Sequence, residues 1–296
     1  MATGPSASPD TAATTAALVR RGELSAAESA AAAIERAEAT HARLNAVAVA
    51  HYEQAVAAAG RLAGSALPLA GVPVSVKESL DLAGTPSSGG VEALANARAA
   101  EDGRIVRALR AAGAVPVAKG NLAQLLWFAE TENPVYGRTS SPHAAGRSPG
   151  GSSGGDAALV AAGVVPVAIG TDIGGSVRQP AHCCGVFALK PTAGRLSLAG
   201  SLDERLFAGF PWVANQPGIF ARDPADLELV LAVLDAGAPA GPERPPRARA
   251  GPVAGLRVGV VETNGVVDPS PQVRRAVQVA AGAAEHGGAH LVSFTP

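Results

Sequence analysis

From Gly71 onward the chain keeps exchanging a short apolar run for an amphipathic one, and that alternation limits the fold more than any other feature. Residues 72–76, 115–118, 165–169 and 186–189 read as strands. Between them, 102–112 reads as a helix with Ile105, Leu109 and Ala112 on one face, stopped by Gly113, and 155–162 reads as another. Asp223 and Pro224 open a third helix running to Leu234, and a strand, helix and strand follow at 256–261, 272–286 and 291–294. Short strands that take turns with helices predict α/β layering around a mixed or parallel sheet. No repeat of roughly 20–50 residues is visible, which argues against a solenoid or propeller.

Organisation follows from the same pattern. Residues 1–9 read as a flexible tail, 10–64 as a helical part, 65–236 as the core, 238–254 as a Pro/Arg/Gly-rich loop, and 255–296 as an incomplete βαβ unit; 10–296 is expected to be one domain. Within the helical part Ser25 and Glu28 form a capping box, and Ala27, Ala30, Ala31, Ile34 and Ala37 recur at helical spacing behind it. The last strand is followed only by Thr295 and Pro296, so the chain is expected to stop early. With 47% hydrophobic residues a sizeable core is available. The 35 glycines and 23 prolines are aperiodic, which excludes collagen.

Net charge is −1, so no electrostatic footprint for nucleic acid is present. No apolar stretch is long enough for a membrane span, and the first ten residues lack a secretory signal, so the expected location is cytoplasmic. The two cysteines, Cys183 and Cys184, are adjacent, which rules out a disulfide framework.

Only three of the 24 Lys and Arg residues are lysine: Lys77, Lys119 and Lys190. A chain that uses arginine nearly everywhere keeps lysine where arginine fails, since a lysine in a dry site can lose its proton and act as a base. Lys77 ends an apolar strand-like run, which is where desolvation would lower its pKa. Two glycine–serine blocks follow, residues 148–155 and 170–178. In the second, Ile173-Gly174-Gly175-Ser176 forms a sharp turn whose amides can point into one hollow and hold an oxyanion. Neither block carries the lysine of a phosphate-binding loop, and Ser176 lacks the second glycine of a nucleophile elbow. His143 and His182 are the only histidines near the blocks, and each reads better as a surface or packing residue. Serines, a lysine and an amide-lined turn together point to a serine nucleophile activated by lysine.

Taken in order, Gly-Val-Pro-Val-Ser-Val-Lys-Glu, Gly-Gly-Ser-Ser-Gly-Gly, Gly-Thr-Asp-Ile-Gly-Gly-Ser-Val-Arg and Gly-Val-Phe-Ala-Leu-Lys-Pro-Thr-Ala-Gly-Arg resemble the amidase signature family of serine amidohydrolases, in wording closest to its fatty-acid-amide-hydrolase-like branch. The resemblance spans about residues 18–261. It implies a central mixed sheet flanked by helices on both faces, and a cleaved amide. Ser176 matches the nucleophile, Ser152 the bridging serine after a cis peptide, and Lys77 the base. The oxyanion falls to the amides of Ile173, Gly174, Gly175 and Ser176, with Leu126 lining the acyl pocket. Ser153, Asp172 and Arg178 match positions that orient the turn and the lysine, and Thr171 assists. Lys119 and Lys190 match no chemical role and are assigned to structure.

No cofactor or metal is implied. His182-Cys183-Cys184 stands where an apolar pair is usual, but neighbours in sequence do not readily wrap one ion. The expected partner is a small-molecule amide, without nucleic acid or a membrane span, in a possible homodimer. Family members continue beyond Pro296, so the chain reads as C-terminally truncated. Two alternatives stand beside the amidase: the amidase subunit of a glutamine-dependent tRNA amidotransferase, and an inactive truncated fragment.

Overall fold

Ser25 and Glu28 satisfy each other's amides as their spacing requires: Glu28 N–H donates to Ser25 Oγ at 3.0 Å, and Ser25 N–H to the Glu28 carboxylate at 2.8 Å. This is seen in a computed structural model, which describes residues 11–208, 215–236 and 251–294. The capped helix is α2 (Ala26–Leu44), and α1 (Ala12–Arg21) precedes it. Asn45, left-handed at φ 47°, ends α2 and turns the chain into β1 (Val47–Ala50), followed by α3 (Tyr52–Ala59). The all-helical reading of 10–64 is corrected at β1. Its alanines hide the strand, and pairing with a sheet edge decides the conformation.

The core alternates as expected. β2 (Pro73–Lys77), α4 (Arg104–Ala111) and β3 (Val115–Gly120) lead to a small hairpin of β4 (Glu132–Asn133) and β5 (Gly137–Arg138). Then come α5 (Gly154–Ala161), β6 (Val167–Asp172), α6 (Arg178–Cys184), β7 (Phe187–Leu189), α7 (Leu202–Phe207), β8 (Gln216–Ala221) and α8 (Pro224–Ala236). Six strands form one mixed sheet in the order β1-β3-β2-β6-β8-β7. β2 is parallel to both of its neighbours, β3 and β6, while β1, β8 and β7 join antiparallel.

β8 is absent from the sequence reading because Pro217 and Gly218 look like breakers. β7 pairs only with residues 219–221 of β8. At Pro217 that side of the strand is therefore an edge, where a missing N–H costs little.

Helices cover both faces. On one, Ala30, Ala33 and Ala37 of α2, Ala157–Val160 of α5 and Ala181 of α6 pack with Val115, Ala168 and Phe220. On the other, Ala12 and Ala16 of α1, Ile105 and Leu109 of α4 and Val230 of α8 pack with Val74, Val76, Ile169 and Ile219. α1 is pinned at its first turn by Asp226 of α8, whose carboxylate accepts from Ala12 N–H at 2.7 Å and Ala13 N–H at 3.0 Å. Among the described residues no helix is long and apolar enough to cross a membrane.

Where the sequence predicts one domain over 10–296, packing separates two compact units, Met1–Pro245 and Pro246–Pro296. The second has its own arrangement: β9 (Arg257–Val260), α9 (Pro271–His286) and β10 (His290–Ser293) make a parallel βαβ unit with His290 opposite Arg257. The tail 1–9 and positions 238–250 of the loop lie outside the described residues.

Candidate active site

Three consecutive structural events bring the glycine–serine blocks to the end of β2. Lys77 is the last residue of that strand, in the middle of the sheet, and is 0% exposed. The turn before α5 delivers Ser152 and Ser153, both buried, and the Gly151–Ser152 peptide is cis. The end of β6 delivers Thr171 and Asp172, and the turn after it carries residues 173–176.

Lys77 Nζ donates to Ser152 Oγ at 2.7 Å and to Thr171 Oγ1 at 2.9 Å. Burial pushes Lys77 down to about 8, against the pull of Asp203, Asp156, Asp172 and Glu78, which favour its charged form. A lysine in that range is part neutral near pH 8 and can take a proton. Ser153 ties the serine pair to β6: Ser153 Oγ donates to Thr171 O at 3.2 Å.

Asp172, fully buried, holds the turn. Its carboxylate accepts from Gly175 N–H at 2.9 Å, Val177 N–H at 3.0 Å and Arg178 N–H at 3.3 Å, and bidentately from the Arg178 guanidinium at 3.0 and 2.7 Å. Burial raises the Asp172 carboxyl, but these donors outweigh it and hold it at about 2. The bracing has a consequence for the expected oxyanion hollow. The Gly175 amide is engaged by Asp172, whereas those of Ile173, Gly174 and Ser176 make no hydrogen bond among the described residues. Four expected donors are thus reduced to three.

Ser176 is half-buried and opens on a cleft of ≈ 300 Å³ lined by Leu126, Trp127, Phe128, Gly151, residues 173–175 and Gln179. Ser176 O accepts from Ser153 N–H at 3.2 Å, which sets the two serine blocks side by side, although no hydrogen bond joins the Ser152 and Ser176 hydroxyls among the described residues. Leu126 lies in the cleft wall as expected, in a left-handed turn with Leu125 (φ 62° and 51°).

Several residues at the site escaped the sequence reading. Gln179 Oε1 accepts from Gly151 N–H at 2.8 Å. Glu78, fully buried, accepts from Ser88 N–H, Ser88 Oγ, Gly89 N–H and Tyr136 Oη at 2.6–2.9 Å. Asp156 accepts from Ser75 Oγ. The signal for Asp156 was present, since it is the lone charge in an otherwise glycine, alanine and valine–leucine helix. Of the other lysines, Lys119 is buried and donates to Pro86 O and to Ser87 Oγ, and Lys190 Nζ donates to Pro191 O at 3.0 Å. Cys184 is buried with its thiol on Pro149 O, and no group of three or more His, Cys, Asp or Glu among the described residues is placed to hold a metal ion.

The Amidase family model matches residues 28–296. The chain is 42% identical over 216 residues to the amidase-family component of glutamyl-tRNA(Gln) amidotransferase from Deinococcus radiodurans, a match that covers 71% of this chain and 44% of that protein. It is 36% identical over 285 residues to indoleacetamide hydrolase of Bradyrhizobium diazoefficiens, covering 93% of this chain and 54% of the relative. Among solved structures it is similar to 6-aminohexanoate cyclic dimer hydrolase, with TM-score 0.87, 32% identity, and coverage of 97% of this chain and 61% of that one. It is similar also to fatty acid amide hydrolase, with TM-score 0.89, 28% identity, and coverage of 97% and 52%. The chain spans about half the length of the curated relatives it matches.

Proposed function

Because the chain belongs to the amidase signature family, we propose that it hydrolyses a carboxylic amide through an acyl-enzyme on Ser176. The observation that carries this reading is the contact of a fully buried Lys77 with Ser152 at 2.7 Å, behind a cleft that Ser176 faces. Neutral Lys77 takes the Ser152 proton as Ser152 takes that of Ser176. The Ser176 oxygen then attacks the amide carbonyl carbon, and the oxyanion rests on the amides of Ile173, Gly174 and Ser176. Run backwards, the relay protonates the leaving nitrogen. Water repeats the sequence on the acyl-enzyme, releasing carboxylate and amine or ammonia.

The substrate in this reading is a small-molecule amide met in the cytoplasm, and no cofactor takes part. A fluorophosphonate serine probe tests it: the label belongs on Ser176. Labelling of Ser152 or Ser153 with Ser176 spared would overturn the assignment of roles, and no labelling of folded protein would favour the inactive fragment.

A second reading draws on the similarity to the glutamyl-tRNA(Gln) amidotransferase component. There the same residues would release ammonia from glutamine for a partner-bound tRNA substrate. Turnover of glutamine that appears only with copurified partner proteins would favour it over a free-standing amidase.

A further inference from the structure

Asp156 is a charge that the chemistry above does not use. It lies in the first turn of α5, four residues after Ser152, and is 0% exposed. Oδ1 accepts from Ser75 Oγ, while Oδ2 is buried with no hydrogen-bond partner. Ser75 and Lys77 alternate with Val74 and Val76 along β2, so they share the face of the sheet that α5 covers. On the neighbouring strand Gly120 stands directly opposite Lys77. A Cβ added at Gly120 would meet both Asp156 carboxylate oxygens at 2.4–2.5 Å. The carboxylate therefore fills the place of the side chain that Gly120 lacks. It sits beside Lys77 on the same face, across about the 4.8 Å that separates paired strands.

From this placement we infer that Asp156 is a positioning residue for Lys77, its carboxylate setting the pH at which the lysine gives up its proton. The inference rests on Lys77 being the base of the proposed hydrolysis. One turn of chain then presents both partners of the lysine: Ser152, which exchanges a proton with it, and Asp156, which decides when it can.

The other charges facing Lys77 are Asp172 from β6, Asp203 from α7 and Glu78 beside it on β2. Asp172 is held by Arg178, Glu78 by four donors, and one oxygen of Asp203 by Asn215 Nδ2 at 3.0 Å. Asp156 has only the Ser75 hydroxyl, and Lys77 and Lys119 are the cations that face it. Burial pushes its carboxyl up to about 7, close to the about 8 of Lys77. Two such neighbours titrate as a pair, in two steps that belong to both. As long as Asp156 is ionised it favours protonated Lys77; when it is neutral the lysine loses that support.

The scarcity of lysine makes the test direct. With three lysines in the chain, full-length protein labelled with 13C at lysine Cε shows three side-chain resonances, and Lys77→Arg deletes the one to be followed. In Asp156→Asn the Lys77 titration midpoint is expected to fall by about one pH unit or more, and the acid limb of kcat/KM to move with it. Ser75→Ala removes the one hydrogen bond that favours ionised Asp156, so it moves Lys77 in the same direction by less. This second variant decides the matter should Asp156→Asn not fold. A Lys77 midpoint that stays in place in a folded variant overturns the inference. The resonance reports on Lys77 with or without amide turnover, so failure of the amidase reading is seen separately, as absent hydrolysis and absent labelling of Ser176.

Discussion

Lys77 is required to be neutral when it acts, and a folded chain achieves this by removing water rather than by adding positive charge nearby. Two outcomes follow at the scale of single residues. First, kcat/KM for an amide should rise as pH increases through about 8, because below that value Lys77 holds the proton it must receive from Ser152. A profile that peaks in acid would point to a different base. Second, Lys77→Arg keeps the charge and loses the chemistry, since arginine stays protonated. With the fold checked by circular dichroism, that variant should retain no more than about one hundredth of the activity, the range expected for loss of a general base.

At the scale of elements the site depends on how closely α5 approaches β3. A Cβ on Gly155 would meet Asn121 N at 2.2 Å and Asn121 O at 2.6 Å, both backbone atoms that cannot swing away. Gly155→Ala should therefore cost about 3 kcal/mol or more as overpacking, read as a fall in Tm. Gly174→Ala is the control, because nothing lies within 4 Å of its added methyl. Equal Tm values for the two would show that α5 is free to shift.

This packing also explains which parts were legible beforehand. β2, β3 and β6 could be read because buried central strands need unbroken apolar runs, and Lys77, Ser152 and Ser176 because rare lysine and doubled glycines mark special backbone and special chemistry. β8 and β1 could not be read, since Pro217 is tolerated only by the shortness of β7, and the alanines of β1 have no strand preference of their own. Gln179 and Asp156 are hidden for a related reason. Each acts on a residue distant in sequence, Gly151 or Ser75, that only the fold brings near.

At the scale of the whole molecule the two units differ in how much they bury. In the first, β2 and β6 are buried at every position, whereas in the second Ala289 is the only hydrophobic residue buried among those described. Amides with little buried apolar cover open at low free energy. Hydrogen exchange followed by mass spectrometry should thus find β9, α9 and β10 losing protection well before β2, β3 and β6. Equal protection across both units would contradict this.

All the residues assigned to chemistry lie in the better-buried unit, and one joint links the first and last described helices of that unit. Asp226, in the first turn of α8, grips the first two amides of α1. In mechanical terms the unit is a belt with its buckle at a single carboxylate. A pull on α1 loads that buckle before it reaches any strand of the sheet, so tension entering from the N-terminal side meets Asp226 well before it meets Lys77.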